Sequence, residues 1–198
     1  RNGGGRRKTG LSQLPAGWRE IWRADLQKNK KQALAVNGLA LGLAAAMLAP
    51  FLYGVFQASS SGGVHFHVTQ FLAMLAGLLA YIPLHELVHG LCMKYFGAKK
   101  VHYGYAGVYA WAGSKAYFGR KSYIVIALAP LVFWGLVLAA LCIVVPAQWF
   151  WVFYLVQVTN VSGAAGDFYI AWKAARMPAG VLVQDTGLEM TFYAPPPA

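Results

Sequence analysis

Three observations predict an all-α integral membrane fold, with about four transmembrane helices and small cytoplasmic β-hairpins. Only 12% of the 198 residues are charged and 58% are hydrophobic, whereas soluble domains carry roughly 25% charged residues. Uncharged runs at 32–64, 68–84, 122–145 and 146–166 approach or exceed the length a hydrocarbon core demands. The basic residues, finally, collect in alternate connections, as an alternating passage through a bilayer requires.

The elements follow in chain order. An arm, 1–31, is glycine-rich and basic, then spaces Trp18, Ile21, Trp22 and Leu26 as on a helix, which predicts a short interfacial helix. Span one covers about Gln32 to Gln57 and ends in a Ser-Gly stretch; it is too long for a signal-peptide core and is expected to be retained. Span two runs from near His67 past Pro83 to Phe96 and stops at Gly97, a residue suited to a helix C-terminus. The loop 101–119 alternates aromatics and glycines and reads as a surface hairpin. Span three covers about Ser122 to Val145, and Pro146, Ala147 and Gln148 turn the chain into span four, from Trp149 to about Ala175. The tail, 177–198, alternates from Val181 to Tyr193 about a turn at Asp185-Thr186-Gly187, a second hairpin. One membrane domain, 32–176, thus lies between arm and tail.

Nine basic residues fall in 1–31, six in 94–121 and two in 173–176, which accounts for all seventeen; the opposite connections hold none. The positive-inside rule then places both termini and the 97–121 loop in the cytoplasm, as in a plasma or inner membrane protein. A net charge of +11 is explained by this asymmetry and by attraction to anionic lipid, so the bilayer is the expected partner and nucleic acid is not.

Six acidic residues exist. Glu20, Asp25, Asp185 and Glu189 lie in the arm or tail, whereas Glu86 and Asp167 lie inside spans. An intramembrane carboxylate costs about 2.5–3.5 kcal/mol on insertion scales, and such residues mark function by default. Glu86 sits in His85-Glu86-Leu87-Val88-His89. Residues i and i+4 share a helix face, so His85 and His89 can bind one zinc ion, and the offset Glu86 can act as general base on water in the open coordination position. Depth nominates a third ligand. His67 to His85 and Trp149 to Asp167 are both eighteen residues, about 27 Å of helix, on spans that descend in the same direction. His85, His89 and Asp167 should therefore meet near the cytoplasmic edge of the hydrocarbon. A divalent ion beside two carboxylates sums to zero charge, but two protonated histidines in a metal-free cluster would do the same.

The His85–Gly90 segment in a span, Gly97 and the hairpin-like stretch after it, Ile126-Ala127-Leu128-Ala129-Pro130 near the start of the next span, and Asn160 followed by Asp167 together resemble a family of zincin membrane peptidases, itself similar to the site-2 proteases. The resemblance spans about residues 68–193. It implies that Asp167 completes the zinc site and that Asn160 handles substrate. The chain departs from the site-2 pattern in that Gly163 stands at the proline position, seven residues separate Asn160 from Asp167, and Phe168 follows the aspartate.

The function expected is zinc-dependent hydrolysis of a peptide bond within or near the bilayer, with one zinc ion, Glu86 as base and a membrane protein or peptide as substrate. The rival is a membrane protein that binds or moves a metal without hydrolysis. Asn160 reads equally as a helix-to-helix hydrogen bond and as a substrate or oxyanion contact. Cys92 shares a face with His85 and reads as a small buried residue; Cys142 has no pairing pattern. His65, His67 and the Trp149–Tyr154 aromatics read as interfacial anchors, and His102 has no spacing partner. Oligomeric state is not specified.

Overall fold

The computed structural model describes residues 10–25, 28–60, 67–106 and 109–196. Leu26, His65 and the glycine-rich start of the arm lie outside them. A strand, β1 (Arg19–Ala24), precedes two long helices, α1 (Lys30–Ser60) and α2 (Val68–Tyr95). Three strands follow, β2 (His102–Ala106), β3 (Tyr109–Gly113) and β4 (Tyr117–Gly119), then α3 (Arg120–Val144), a short 3₁₀ turn at Ala147–Trp149, α4 (Phe150–Gly163) and α5 (Ala165–Ala175). The chain closes with β5 (Leu182–Asp185) and β6 (Met190–Ala194).

Helix limits follow from local chemistry. Before α1, the Asn29 side chain accepts from the Gln32 N–H at 3.1 Å, the N-cap bond that satisfies an otherwise free amide. At the start of α2, the Gln70 side chain accepts from the His67 N–H at 3.1 Å and donates to the Gln148 carbonyl at 2.6 Å. That pair binds the head of α2 to the turn between α3 and α4. Gly97, at φ 107°, ends α2 in the left-handed conformation that glycine adopts without a Cβ penalty. Tyr154 donates to the Met47 carbonyl at 2.7 Å and joins α4 to α1.

Among the described residues, three helices are long and apolar enough to cross a membrane, Lys30–Gln57, Val68–Tyr95 and Arg120–Val144. The expected fourth span is instead two helices broken at Ala164, whose ψ of 10° departs from the helical value. The run Ser162-Gly163-Ala164-Ala165-Gly166 offers little side-chain packing to hold a continuous helix there. The break gives α5 its own N-terminus and sets Asp167 in its first turn, where the exposed amides favour a negative charge.

The all-α expectation needs correction as well. A four-stranded antiparallel sheet, in the order β1-β6-β5-β4, joins arm, tail and central loop, while β2 and β3 form a separate hairpin. The arm is a strand where an interfacial helix was expected. Trp22 and Ala24 turn inward on alternate positions, with Trp22 packed edge-on to Phe192 at 5.2 Å between ring centres, and pairing with β6 decides between the two periodicities. Both expected hairpins are present, β2–β3 and β5–β6, the latter turning through Gly187 at φ 86°. The main core lies where the sheet meets the ends of α2, α3 and α5, around Met93, Phe118, Tyr123, Ile126, Ile170, Val183 and Phe192.

Candidate metal centre

One turn of α2 separates His85 from His89, and their rings sit 4.9 Å apart, nearly perpendicular. Both are buried. From the first turn of α5, Asp167 reaches between them: its Oδ2 lies 3.2 Å from His85 Nε2 and its Oδ1 3.4 Å from His89 Nε2. One ligand atom from each of the three residues lies within 4.8 Å of the others, a group that could hold a metal ion.

The remaining imidazole nitrogens are engaged behind this group. His89 Nδ1 is 2.9 Å from the Ile126 carbonyl, which can only accept, so Nδ1 carries a hydrogen. His85 Nδ1 is 2.6 Å from the Tyr81 hydroxyl, which donates to Asn160 Oδ1 at 2.8 Å. Partners of this kind orient metal-ligating histidines. In the neutral ring, His89 turns its Nε2 lone pair toward a carboxylate, an arrangement that is repulsive unless a cation lies between them. Two imidazoles and a carboxylate, buried and so arranged, are a donor set that zinc accepts as three protein ligands with a position left open. The residues fit the metal.

Glu86 stands beside this group and outside it. The backbone amide of Ala112, in β3, lies close to its carboxylate. A cavity of about 540 Å³ opens here, walled by α1 (Val36, Asn37), α2 (Tyr81, Ile82, His85, Glu86, His89), β3 (Ala110, Trp111, Ala112), α5 (Gly166, Asp167) and the β5–β6 turn (Gly187, Leu188). A pocket with apolar walls and a few convergent polar groups is the usual form of a small-molecule or peptide site.

The structure adds residues that spacing alone did not nominate. Asp185, expected in a polar tail, is buried on the cavity wall. Its carboxylate accepts from the Tyr123 hydroxyl at 2.7 Å and the Gly187 N–H at 2.8 Å. Burial pushes this carboxyl above the ordinary aspartate range, against the lowering effect of those two bonds. Its Asp-Thr-Gly setting reads as a turn, and the turn conceals the second role. Tyr81 was overlooked among apolar neighbours, although it precedes His85 by four residues and so shares its face. Asn160 is fully buried; its amide nitrogen donates to the Leu131 carbonyl at 3.3 Å and to Gln157 at 3.2 Å. Cys92 packs against the core below the site and is not in the metal-capable group.

A family model described as "Putative zincin peptidase" matches residues 78–182, just over half of the chain and a stretch that includes every residue of the group above. No curated protein and no solved structure matches the chain.

Proposed function

From the membership of this chain in the family described as putative zincin peptidases, we propose that it is a zinc-dependent peptidase that cleaves peptide bonds within or next to a bilayer, in the manner of the site-2 proteases. The observation that carries the reading is the convergence of His85 Nε2, His89 Nε2 and the Asp167 carboxylate beside Glu86 on a cavity wall. His85, His89 and Asp167 would hold the one zinc ion. Bound there, zinc supplies a Lewis acid that acidifies water and polarises a carbonyl.

The chain's own residues do the rest. Glu86 takes the proton of the attacking water and returns it to the leaving amine. Both Glu86 and Ala112 line the cavity, and the Ala112 amide lies close to the carboxylate. Because β3 pairs with β2 along one side and turns this amide toward Glu86 on the other, an unwound substrate can lie along that side as an added strand, close to the base. Trp111 and Leu188 in the cavity wall offer apolar surface to its side chains. Three helices with the length and apolarity to cross a membrane, and basic residues gathered at 94–121 and in the arm, support a membrane-embedded enzyme with its termini and site on the cytoplasmic side.

The test uses purified wild type, Glu86→Gln and Asp167→Ala, with bound zinc and cleavage of membrane-segment peptides as readouts. Glu86→Gln should keep zinc and lose cleavage by at least about 100-fold, within the range of general acid–base contributions. Asp167→Ala should lose much of both. Equal cleavage by wild type and Glu86→Gln would reject the base. Zinc binding with no cleavage in the wild type would favour a metal-binding or metal-moving protein instead.

A further inference from the structure

The two histidines are anchored differently. His89 Nδ1 meets the backbone carbonyl of Ile126, an acceptor fixed by the chain itself. His85 Nδ1 meets a hydroxyl, which can either donate or accept, so His85 would have no fixed tautomer if Tyr81 were free to rotate. The direction is set further back. Leu131 presents a carbonyl, an acceptor only, to Asn160 at 3.3 Å. The Asn160 NH₂ must face it, which turns Asn160 Oδ1 toward Tyr81. Tyr81 then spends its single proton on Asn160, at 2.8 Å. Its oxygen is left to accept from His85 Nδ1–H at 2.6 Å. Each bond in the series has one permitted direction, and the last puts a proton on His85 Nδ1 and leaves Nε2 as the nitrogen that faces Asp167, at 3.2 Å.

We propose that Leu131, Asn160 and Tyr81 form a directional hydrogen-bond relay that holds His85 as its Nδ1–H tautomer and so presents Nε2 for metal ligation. The proposal rests on the reading of His85, His89 and Asp167 as metal ligands, and it makes Asn160 and Tyr81 positioning residues. Burial supports it: Asn160 is wholly enclosed, and all its polar atoms are used inside the protein. It is also absent from the cavity wall, so it spends no hydrogen bond on substrate. The relay ties α3, α4 and α2 to one imidazole, and the packing of three helices thereby enters the affinity for the metal.

The experiment compares full-length wild type, Tyr81→Phe, Asn160→Leu, Asn160→Asp and the Tyr81→Phe/Asn160→Leu double variant. Zinc affinity is read by competition with a chromophoric chelator, and the His85 tautomer by ¹⁵N NMR of histidine-labelled, metal-free protein. In the wild type His85 Nδ1 should carry a proton, whatever the state of Nε2 beside Asp167. Tyr81→Phe, which removes the acceptor, should weaken zinc binding about 10-fold, and Asn160→Leu, which frees the hydroxyl to donate to Nδ1, about 10- to 100-fold with a shift toward the Nε2–H form. The double variant should bind no more weakly than Tyr81→Phe alone, since a hydroxyl pointing the wrong way is worse than none. Asn160→Asp keeps an oxygen before Tyr81 and should keep the wild-type tautomer. Independent, multiplying losses in the double variant, or an unchanged tautomer in Asn160→Leu, would overturn the relay. If the wild type binds no zinc, the metal reading fails and the tautomer series still decides the relay.

Discussion

The two ends of this molecule are stabilised in different ways. At the sheet end, Phe118, Val183 and Phe192 have no exposed surface, and they pack with Tyr123, Ile126 and Ile170 into a continuous core. Toward the other end, a small cluster of Tyr81, Leu138 and Val156 is buried, and the most apolar window of α1 has none of its residues buried. So much uncovered apolar helix marks a surface for lipid or for another protein. One end makes its own apolar interior, and the other is expected to borrow it from lipid. The candidate metal centre lies where the two meet, beside Ala112 of the β2–β3 hairpin and Asp185 of the sheet, with Tyr81 and Asn160 behind His85.

The largest effect should come from the sheet end. Phe192 touches Trp22 and Tyr123, with ring centres at 5.2 and 6.2 Å. Phe192→Ala should destabilise by about 3–5 kcal/mol, the range for aromatic truncation in a closed core. Denaturant unfolding in detergent, followed by tryptophan fluorescence, measures it. A loss below about 1 kcal/mol would mean that the sheet is not a packed unit and would erase the contrast between the ends.

The next prediction addresses the lipid end. Leu41 is 72% exposed in α1, and substitutions at water-exposed sites usually stay within about 0.5 kcal/mol. If that face lies in lipid, Leu41→Lys should cost about 2.5–3.5 kcal/mol of insertion free energy. A glycosylation-mapped insertion assay reads the difference, and unchanged insertion would return α1 to water.

These two ends were unequally legible from sequence. The apolar runs announce the helices through composition, and the histidine pair announces itself through spacing, because both signals are local. The strand Arg19–Ala24 is ambiguous in sequence: six residues with Trp22 and Ala24 inward satisfy two periodicities, and its partner, β6, lies far along the chain. The break at Ala164 was suggested by small residues without being required by them. From beyond it, Asp167 reaches His85 at 3.2 Å. Tyr81, Asn160 and Asp185 gain their distant partners from tertiary packing; Asp185 sits 62 positions from Tyr123, and no periodicity relates residues so separated.

The smallest effect tests the seam between the ends. Asp185 accepts from Tyr123 and Gly187 with its side chain, while its backbone carbonyl accepts from the Ser114 N–H at 2.7 Å; this one residue therefore binds the β5–β6 turn to α3 and to the segment after β3. Asp185→Ala leaves the buried Tyr123 hydroxyl and Gly187 amide without acceptors and should cost about 1–3 kcal/mol. Asp185→Asn keeps an oxygen for each bond only in part, yet it carries no charge, and burial has already raised the carboxyl above its unfolded value. A folded pKa above the unfolded one means that the native state binds the proton more tightly. The stability this group contributes is thus present at low pH and is lost as pH rises from the unfolded value through the folded one. Asp185→Asn should remove that decline, giving a flatter stability profile above about pH 4 than the wild type. Parallel wild-type and Asp185→Asn profiles would show that the turn holds its aspartate as a solvated charge, and the seam would then belong to the water side of the molecule.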